Sequence, residues 1–553
     1  MSIFSHVSLP RIKNSLYRYN FEHKLSYRMA DLIPLKVFPV LPGDKIINLG
    51  VESFTRMAPM IFPVMHRMNI KLYAFFVPNR LIWEEWEDYI TGGPEGSLNP
   101  VKPFIGIKHL VQKENLDFIK VGSLMDYMGY PVQMIDKTAQ GQTVLSNSVF
   151  KFHDMKYRGY QLIWNEYFRD QNLQDEIVIP QYGGDEFLMS PDAAREMLTL
   201  RKKCWQKDYF TSALPWLQRG PLTTMPVNVD LSEGSVELSD TRSSNPLNFR
   251  SNSGAASDFP NVMHSVQEGG DIGPLSISTS GGGKLSPVNL SDFLDAQLSA
   301  ENPDAGSFLI EDLRRAVKLQ EWRERNARGG ARYTEQILAH FGVRSSDARL
   351  QRPEFLGATS QPISISEVLQ SSESTQDGTP LGEMGGHGIS ARGALLCKNK
   401  FFEEHGYVFV LMSCIPRTGY FQGIDRDSLK FDKFEEYWQE FAHIGEQPIY
   451  QDELWCDGVQ MSGQEHKIFG YTPRYAEYQY FPDTVAGEFR TTLKSWHMAR
   501  ELSKPALNGD FVTANPTDRI FPVQYRDVEQ MYAQFLFHLN MRRPVLKGAT
   551  PRF

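Results

Sequence analysis

The chain has 553 residues and a net charge of −8, with 41% hydrophobic and 22% charged residues. That length exceeds one simple core, so it holds two or three domains or one core with large insertions. The apolar fraction is that of a folded soluble protein, no run of about 18 apolar residues crosses a bilayer, and the excess of 66 acids over 58 bases excludes coating nucleic acid by bulk positive charge.

In chain order, charge comes first. Residues 1–30 carry Arg11, Lys13, Arg18, Lys24 and Arg28 against Glu22 alone, interleaved with Tyr17, Tyr19, Phe21 and Tyr27. Basic groups bind phosphate and aromatic rings stack unpaired bases, so a nucleic-acid contact and simple docking on acidic surface both stay open. The opening residues lack the apolar stretch of a secretion signal. Residues 56–69 form a Met-rich run punctuated by Pro59 and Pro63. Residues 72–93 then gather Tyr73, Phe75, Phe76, Trp83, Trp86 and Tyr89 around the breaker Pro78-Asn79. Such rings each bury a large area, so this stretch is built to be packed against, by its own core or by a neighbouring chain. Residues 68–77 read as a strand ended by Pro78, and Trp83 and Trp86, three apart, project from one side of a short helix.

Residues 157–169 read as a helix, with Tyr160, Ile163, Trp164 and Tyr167 at helical spacing. Residues 230–290 change character: Ser and Gly dominate, aromatics fall to Phe249 and Phe259, and Gly281-Gly282-Gly283 closes the stretch. That composition buries little area per residue and reads as a surface loop. Residues 310–327 give the clearest helix, with Leu309, Leu313, Ala316, Val317 and Gln320 in one stripe and Gly329-Gly330 as the stop. A second helix fits residues 333–341, ended at Gly342. The charges of the first helix read as a solvated face, with a subunit interface as the sharper option. Residues 371–388 form another flexible-looking piece. Residues 406–415 are almost continuously apolar, as in a strand buried on both faces. Residues 533–542 alternate, with Phe535, Phe537, Leu539 and Met541 on one face and Leu536 alone breaking the polar side. Between residues 77 and 406 no comparable strand density is visible. The last thirteen residues carry Arg542, Arg543, Lys547 and Arg552 with no acid.

Catalytic constellations are missing from the sequence. Cys204, Cys397, Cys414 and Cys456 lie far apart without C-x-x-C, as reduced thiols do, and the 13 histidines show no metal-ligand spacing. There is no phosphate-binding G-x-x-x-x-G-K-[ST] and no G-x-S-x-G elbow, and Glu84-Glu85 and Glu403-Glu404 read as solvated charge. The expectation is no enzyme, with no catalytic residue, metal or cofactor.

The wording of residues 72–93, with LPGD at 41–44, closely resembles the major capsid proteins of the microviruses, small tailless single-stranded-DNA bacteriophages, in their gokushovirus-like form. Residues 160–174, 314–357 and 470–490, followed by Trp496-His497, match in the family's order, so the resemblance covers most of the chain except residues 229–290. It implies a mainly β fold: a single jelly-roll, an eight-stranded antiparallel β-sandwich with very long loop insertions containing helices. The chain then divides into a basic N-terminal arm (1–30), first jelly-roll strands and long loops (31–228), a Ser/Gly-rich surface insertion that is a three-fold protrusion candidate (229–292), a helical and loop insertion (293–400), the remaining strands and loops (401–541) and a basic C-terminal tail (542–553).

The function implied is a virion capsid subunit, made in the bacterial host cytoplasm, that self-assembles as sixty copies into a T=1 icosahedral shell around circular single-stranded DNA. Implied partners are a small basic DNA-binding peptide, an internal scaffolding protein, a DNA-pilot protein and a bacterial surface receptor. DNA-contact candidates are Arg11, Lys13, Arg18, Lys24, Arg28, Arg542, Arg543, Lys547 and Arg552. Host-surface candidates are Arg242, Phe249, Arg250, Asp258 and Phe259; assembly or core aromatics are Tyr73, Phe75, Phe76, Trp83, Trp86, Tyr89, Trp164 and Trp496. The rival from another class is a carbohydrate-binding or glycan-processing β-sandwich.

Overall fold

The computed structural model describes residues 14–106, 120–130, 132, 151–183, 196–220, 310–330, 332–369, 384–456, 466–523 and 528–545. The chain divides into two units. The first, residues 1–221 and 321–553, contains every strand described here; the second, residues 222–320, is described only where the helix Ile310–Gly329 begins.

Thirteen strands are described: β1 (Ser15–Tyr27), β2 (Ile33–Val40), β3 (Lys45–Met57), β4 (Met68–Pro78), β5 (Phe104–Gly106), β6 (Lys151–His153), β7 (Glu354–Pro362), β8 (Ser364–Leu369), β9 (Met384–Phe401), β10 (Gly406–Pro416), β11 (Glu446–Tyr450), β12 (Ile468–Pro473) and β13 (Met531–Arg543). One sheet runs β1-β13-β3-β9-β8 and the other β2-β10-β4-β7. β7 and β8 are one pass of chain that bends at Ile363 from one sheet into the other. Counted that way there are eight passes. The first pairs with the eighth (β1·β13), the second with the seventh (β2·β10), the third with the sixth (β3·β9) and the fourth with the fifth (β4·β7), all antiparallel. A long hairpin with that nesting, rolled on itself, is the jelly-roll expected from the family resemblance.

The burial pattern explains the strand sequences. Along β10, Val408, Val410, Met412 and Cys414 enter the core between the sheets, while Tyr407, Phe409 and Leu411 enter a second core on the outer face of the four-stranded sheet. Along β4, Ile70, Leu72, Ala74 and Phe76 point one way and Phe75 and Val77 the other. Both strands are apolar throughout because both faces are covered. Among the described residues the cover comes from residues 79–106, 124–132, 152–179 and 197–200, chiefly the helix Met155–Ile163 and the π-turn Trp164–Phe168 that continues it. Gly159 lets that helix approach β10, since a Cβ there would lie 2.6 Å from the Phe409 ring. β13 has one buried face, Phe535, Phe537, Leu539 and Met541, as its alternation predicts. A third core joins Phe210 and Ala213 to Tyr420, Ile449, Phe469 and Phe511 within residues 417–530.

Some sequence boundaries need correction. Residues 15–27 are not an arm but β1, in register with β13 along its whole length. Tyr19, Phe21 and Tyr27 therefore face the sandwich: Tyr27 is fully buried and Phe21 stacks on Phe537 at 4.7 Å. The segment 293–400, read as helical and loop insertion, ends in three sandwich strands, β7, β8 and β9. β9 escaped the pattern because of its glycines. Gly386 packs where a Cβ would sit 2.5 Å from the Phe62 carbonyl oxygen, and it exchanges backbone hydrogen bonds with Met60. The helices end as predicted, at Gly329 and at Gly342, which has the left-handed φ of +67°. The four cysteines are free.

Candidate assembly surface and nucleic-acid interface

The aromatic stretch 72–93 is core. Trp83 is fully buried beneath the outer face of the four-stranded sheet, its indole N–H donating to Glu85 Oε2 at 3.2 Å. Trp86 and Tyr89 sit half-buried at its rim, 6.1 and 5.1 Å away between ring centroids. Trp83 precedes the short helix Trp86–Thr91 rather than sharing its face, because Pro78 is followed by a 3-10 turn, Asn79–Leu81. Phe75 and Phe76 are buried on opposite faces of β4, and Tyr73 is half-buried. Trp164 donates to the Lys202 carbonyl at 3.1 Å, and Trp496 stacks on Phe62 at 5.3 Å.

Exposed aromatic surface lies elsewhere, outside the aromatic site candidates. Phe431 and Phe481 are 86% and 85% exposed, and Phe434, Tyr437, Trp438 and Ile444 are open beside Phe431 in sequence. The plate is held from within. Lys430 Nζ lies 3.6 Å from Asp427 and Glu477 and 3.9 Å from Glu436, and it donates to the Tyr478 hydroxyl at 2.8 Å. Tyr475 donates to the Glu436 carbonyl at 3.0 Å and Trp438 to the Lys433 carbonyl at 2.7 Å. An ion pair from Arg328 to the buried Glu446 ties this plate to a second open apolar group, Trp322, Leu338, Phe341 and Val343. Burial raises the Glu446 carboxyl above its ordinary range, against the pull of Arg328. Exposed rings gathered at this density, as in residues 431–444, mark protein–protein contact. The signal available in sequence was FEEYWQEF at residues 434–441, whose rings have no strand or long helix to bury them.

The basic candidates divide by pairing. Arg543 is held by Asp44, at 2.9 Å to Oδ2 and 3.2 Å to Oδ1, and donates to the Pro39 carbonyl at 3.2 Å. Asp44 is fully buried, so this pair closes a corner of the sandwich. Arg18, Lys24 and Arg542 are exposed on the outer face of the five-stranded sheet, and Arg28 lies half-buried at the other end of β1. Arg11, Lys13, Lys547 and Arg552 lie outside the described residues, as do the host-surface candidates Arg242, Phe249, Arg250, Asp258 and Phe259.

That outer face is polar across three strands. His538 lies 3.3 Å from Asn20 and 3.0 Å from Glu52, Asn540 donates to Asn48 at 2.7 Å, and Gln534 donates to Glu22 at 2.9 Å. Arg56 on β3 adds a cation beside the exposed Phe54 ring. β1 begins where β13 ends: Ser15 pairs with Arg543, and the Tyr17 hydroxyl donates to the Val545 carbonyl at 3.0 Å. The two basic ends of the described chain thus meet at one corner. Among the described residues no group of His, Cys, Asp and Glu has the arrangement of a metal site, and no helix is long and apolar enough to cross a membrane.

The comparisons agree with this anatomy. The family model described as capsid protein (F protein) matches residues 5–553. The chain belongs to the phage capsid F-protein family. It is 31% identical to the capsid protein VP1 of Chlamydia phage 1, over 99% of this chain and 97% of that one. It is equally identical, 31%, to the capsid protein VP1 of Bdellovibrio phage phiMH2K, with the same coverage of 99% and 97%. It is 30% identical to the capsid protein VP1 of Spiroplasma virus 4, over 100% and 96%. The gokushovirus-like resemblance holds, and this F-family member is a structural protein of phage virions. That membership displaces the carbohydrate-binding or glycan-processing alternative.

Proposed function

We propose that sixty copies of this capsid protein assemble into a T=1 icosahedral shell around circular single-stranded DNA, acting by assembly rather than by turnover. The observation that carries the reading is the open group of rings in residues 431–444, Phe431, Phe434, Tyr437 and Trp438, which the described residues of the subunit leave uncovered. A closed point-group assembly uses one such surface many times. The nucleic-acid part rests on Arg18, Lys24 and Arg542 on one open sheet face, and on the basic composition that Arg11, Lys13, Lys547 and Arg552 give the two ends of the sequence. Phosphate contacts of this type carry no base sequence. The net charge of −8 leaves most DNA charge to another partner, so a small basic DNA-binding peptide is part of the proposal, with internal scaffolding and DNA-pilot proteins as assembly partners.

Residues 229–292 are proposed as the host-attachment insertion, through Arg242, Phe249, Arg250, Asp258 and Phe259. Sedimentation of purified protein tests assembly: megadalton particles containing nuclease-protected circular single-stranded DNA are expected, and a monomer or small oligomer overturns the shell. Replacing residues 229–292 by a short Gly/Ser linker is expected to leave shells intact and abolish attachment, since loop closure depends only weakly on length. Full attachment by the shortened particles overturns the receptor role.

A further inference from the structure

At the end of the sandwich away from Ser15 and Arg543, a cleft of about 580 Å³ opens between the start of β4 and the end of β10 on one side and residues 203–208 with Tyr480 on the other. Small-molecule sites have volumes of about 300–1,000 Å³. Five cations line the cleft, Arg67, Lys71, Lys203, Lys207 and Arg417, against one carboxylate, Asp208, in a chain whose net charge is −8. Asp208 is already satisfied. Its Oδ2 accepts from Thr418 at 2.6 Å and Tyr420 at 2.8 Å, and its Oδ1 from the Thr211 and Phe210 amides at 2.8 and 3.1 Å. Lys207 is paired with Asp170 and Arg417 with Asp483. Arg67, Lys71 and Lys203 have no carboxylate partner among the described residues.

Lys203 is the most informative of the three. Its ammonium lies 4.9 Å from the Tyr73 ring centre and 5.9 Å from that of Phe168, and it donates to the Tyr73 hydroxyl. Burial, with Lys71 beside it, brings its pKa down to about 8. Lys203 is held where water is scarce with the like charge of Lys71 beside it, a cost that a bound anion removes.

We infer that this cleft binds a phosphate ester, with the phosphate on Arg67, Lys71 and Lys203. A lone phosphate fills a small part of the volume, so the phosphate arrives on a larger body. Tyr480, stacked on Tyr209 at 6.2 Å, gives that body a ring in the cleft lining. Cations for the backbone and a ring for the base match one unit of a single-stranded nucleic acid. The identity of the strand rests on the enclosure reading above; the anion site does not.

Two probes test this on the full-length protein, inorganic phosphate and a fluorescent oligothymidylate. In the R67Q/K71Q variant, oligothymidylate affinity is expected to fall about tenfold or more, and the slope of log affinity against log salt to lessen by about one to two. Phosphate is expected to raise the melting temperature of the unchanged protein above that in chloride of equal ionic strength, and not that of the variant. Lys71→Arg retains both responses, and Lys398→Gln, exposed on β9, alters neither. If R67Q/K71Q disturbs folding, Lys71→Gln alone gives the same reading. Unchanged affinity and an unchanged phosphate response in a folded variant overturn the site. Loss of the phosphate response with oligothymidylate binding intact keeps the anion site and overturns the strand as its ligand. Shells empty of DNA would overturn enclosure while leaving both binding measurements in place.

Discussion

Residues 79–91 and residues 430–444 have nearly the same vocabulary and opposite fates. The first sets Trp83, Trp86 and Tyr89 among Glu84, Glu85, Glu87 and Asp88; the second sets Phe431, Phe434, Tyr437 and Trp438 among Asp432, Glu435 and Glu436. Trp83 is 0% exposed and Phe431 86%. The difference lies in what stands over each. The helix Met155–Ile163 and the residues around it close over Trp83, and among the described residues nothing closes over Phe431. Rings at high density state that a surface is to be covered; whether the same subunit covers it is decided by the fold.

Variants in the two regions sharpen this contrast. Trp83→Ala empties the second core and is expected to cost about 3–5 kcal/mol, read as a lower denaturant midpoint of the subunit itself. Gly159→Ala drives a Cβ to 2.6 Å from the Phe409 ring, in the lid of the same core. A cost of about 1–3 kcal/mol is expected, with melting as the readout.

The Asp31 carboxyl lies at the edge of that region, next to the buried Leu32, and burial raises its pKa to about 6 against Lys202 and Arg28. A raised carboxyl favours the folded state fully at low pH and loses that contribution as pH rises through about 6. Asp31→Asn is therefore expected to match the unchanged protein near pH 4 and to exceed it by roughly 1–2 kcal/mol at pH 8. Melting curves at the two pH values decide the sign. The smallest effect on subunit stability belongs to the plate. Phe431→Ser with Phe481→Ser is expected to move subunit stability by no more than about 0.5 kcal/mol per site, because neither ring is packed within it. Particle yield by sedimentation should nevertheless collapse. Normal particles from that variant, or a large loss of melting temperature, would break the comparison.

The sandwich was legible wherever burial imposes a period. β10 reads as apolar throughout because two cores share it, and β13 reads as alternating because only one face is buried. β9 was not legible, since its Gly386 and Gly388 serve close backbone and side-chain approach instead of adding apolar surface. β1 was read as a basic arm because Arg18 and Lys24 on its outer face masked the inward Tyr19, Phe21 and Leu25. Of the phosphate-contact candidates, Arg543 is engaged by Asp44, a partner 499 residues away that charge counting along the chain does not reveal.

By itself the sequence determined the family, the apolar strands 68–77 and 406–415, the helix stops at Gly329 and Gly342, and the change of character at residues 230–290. All of these depend on local composition, period or wording, which a linear reading contains. Only the tertiary structure decided that Trp83 is core and Phe431 surface, that the two basic ends share a corner, and that Arg67, Lys71 and Lys203 converge in one cleft. Each of those outcomes depends on groups far apart in the chain brought within a few ångströms by the rolled hairpin, and burial and field strength are properties of that arrangement in space.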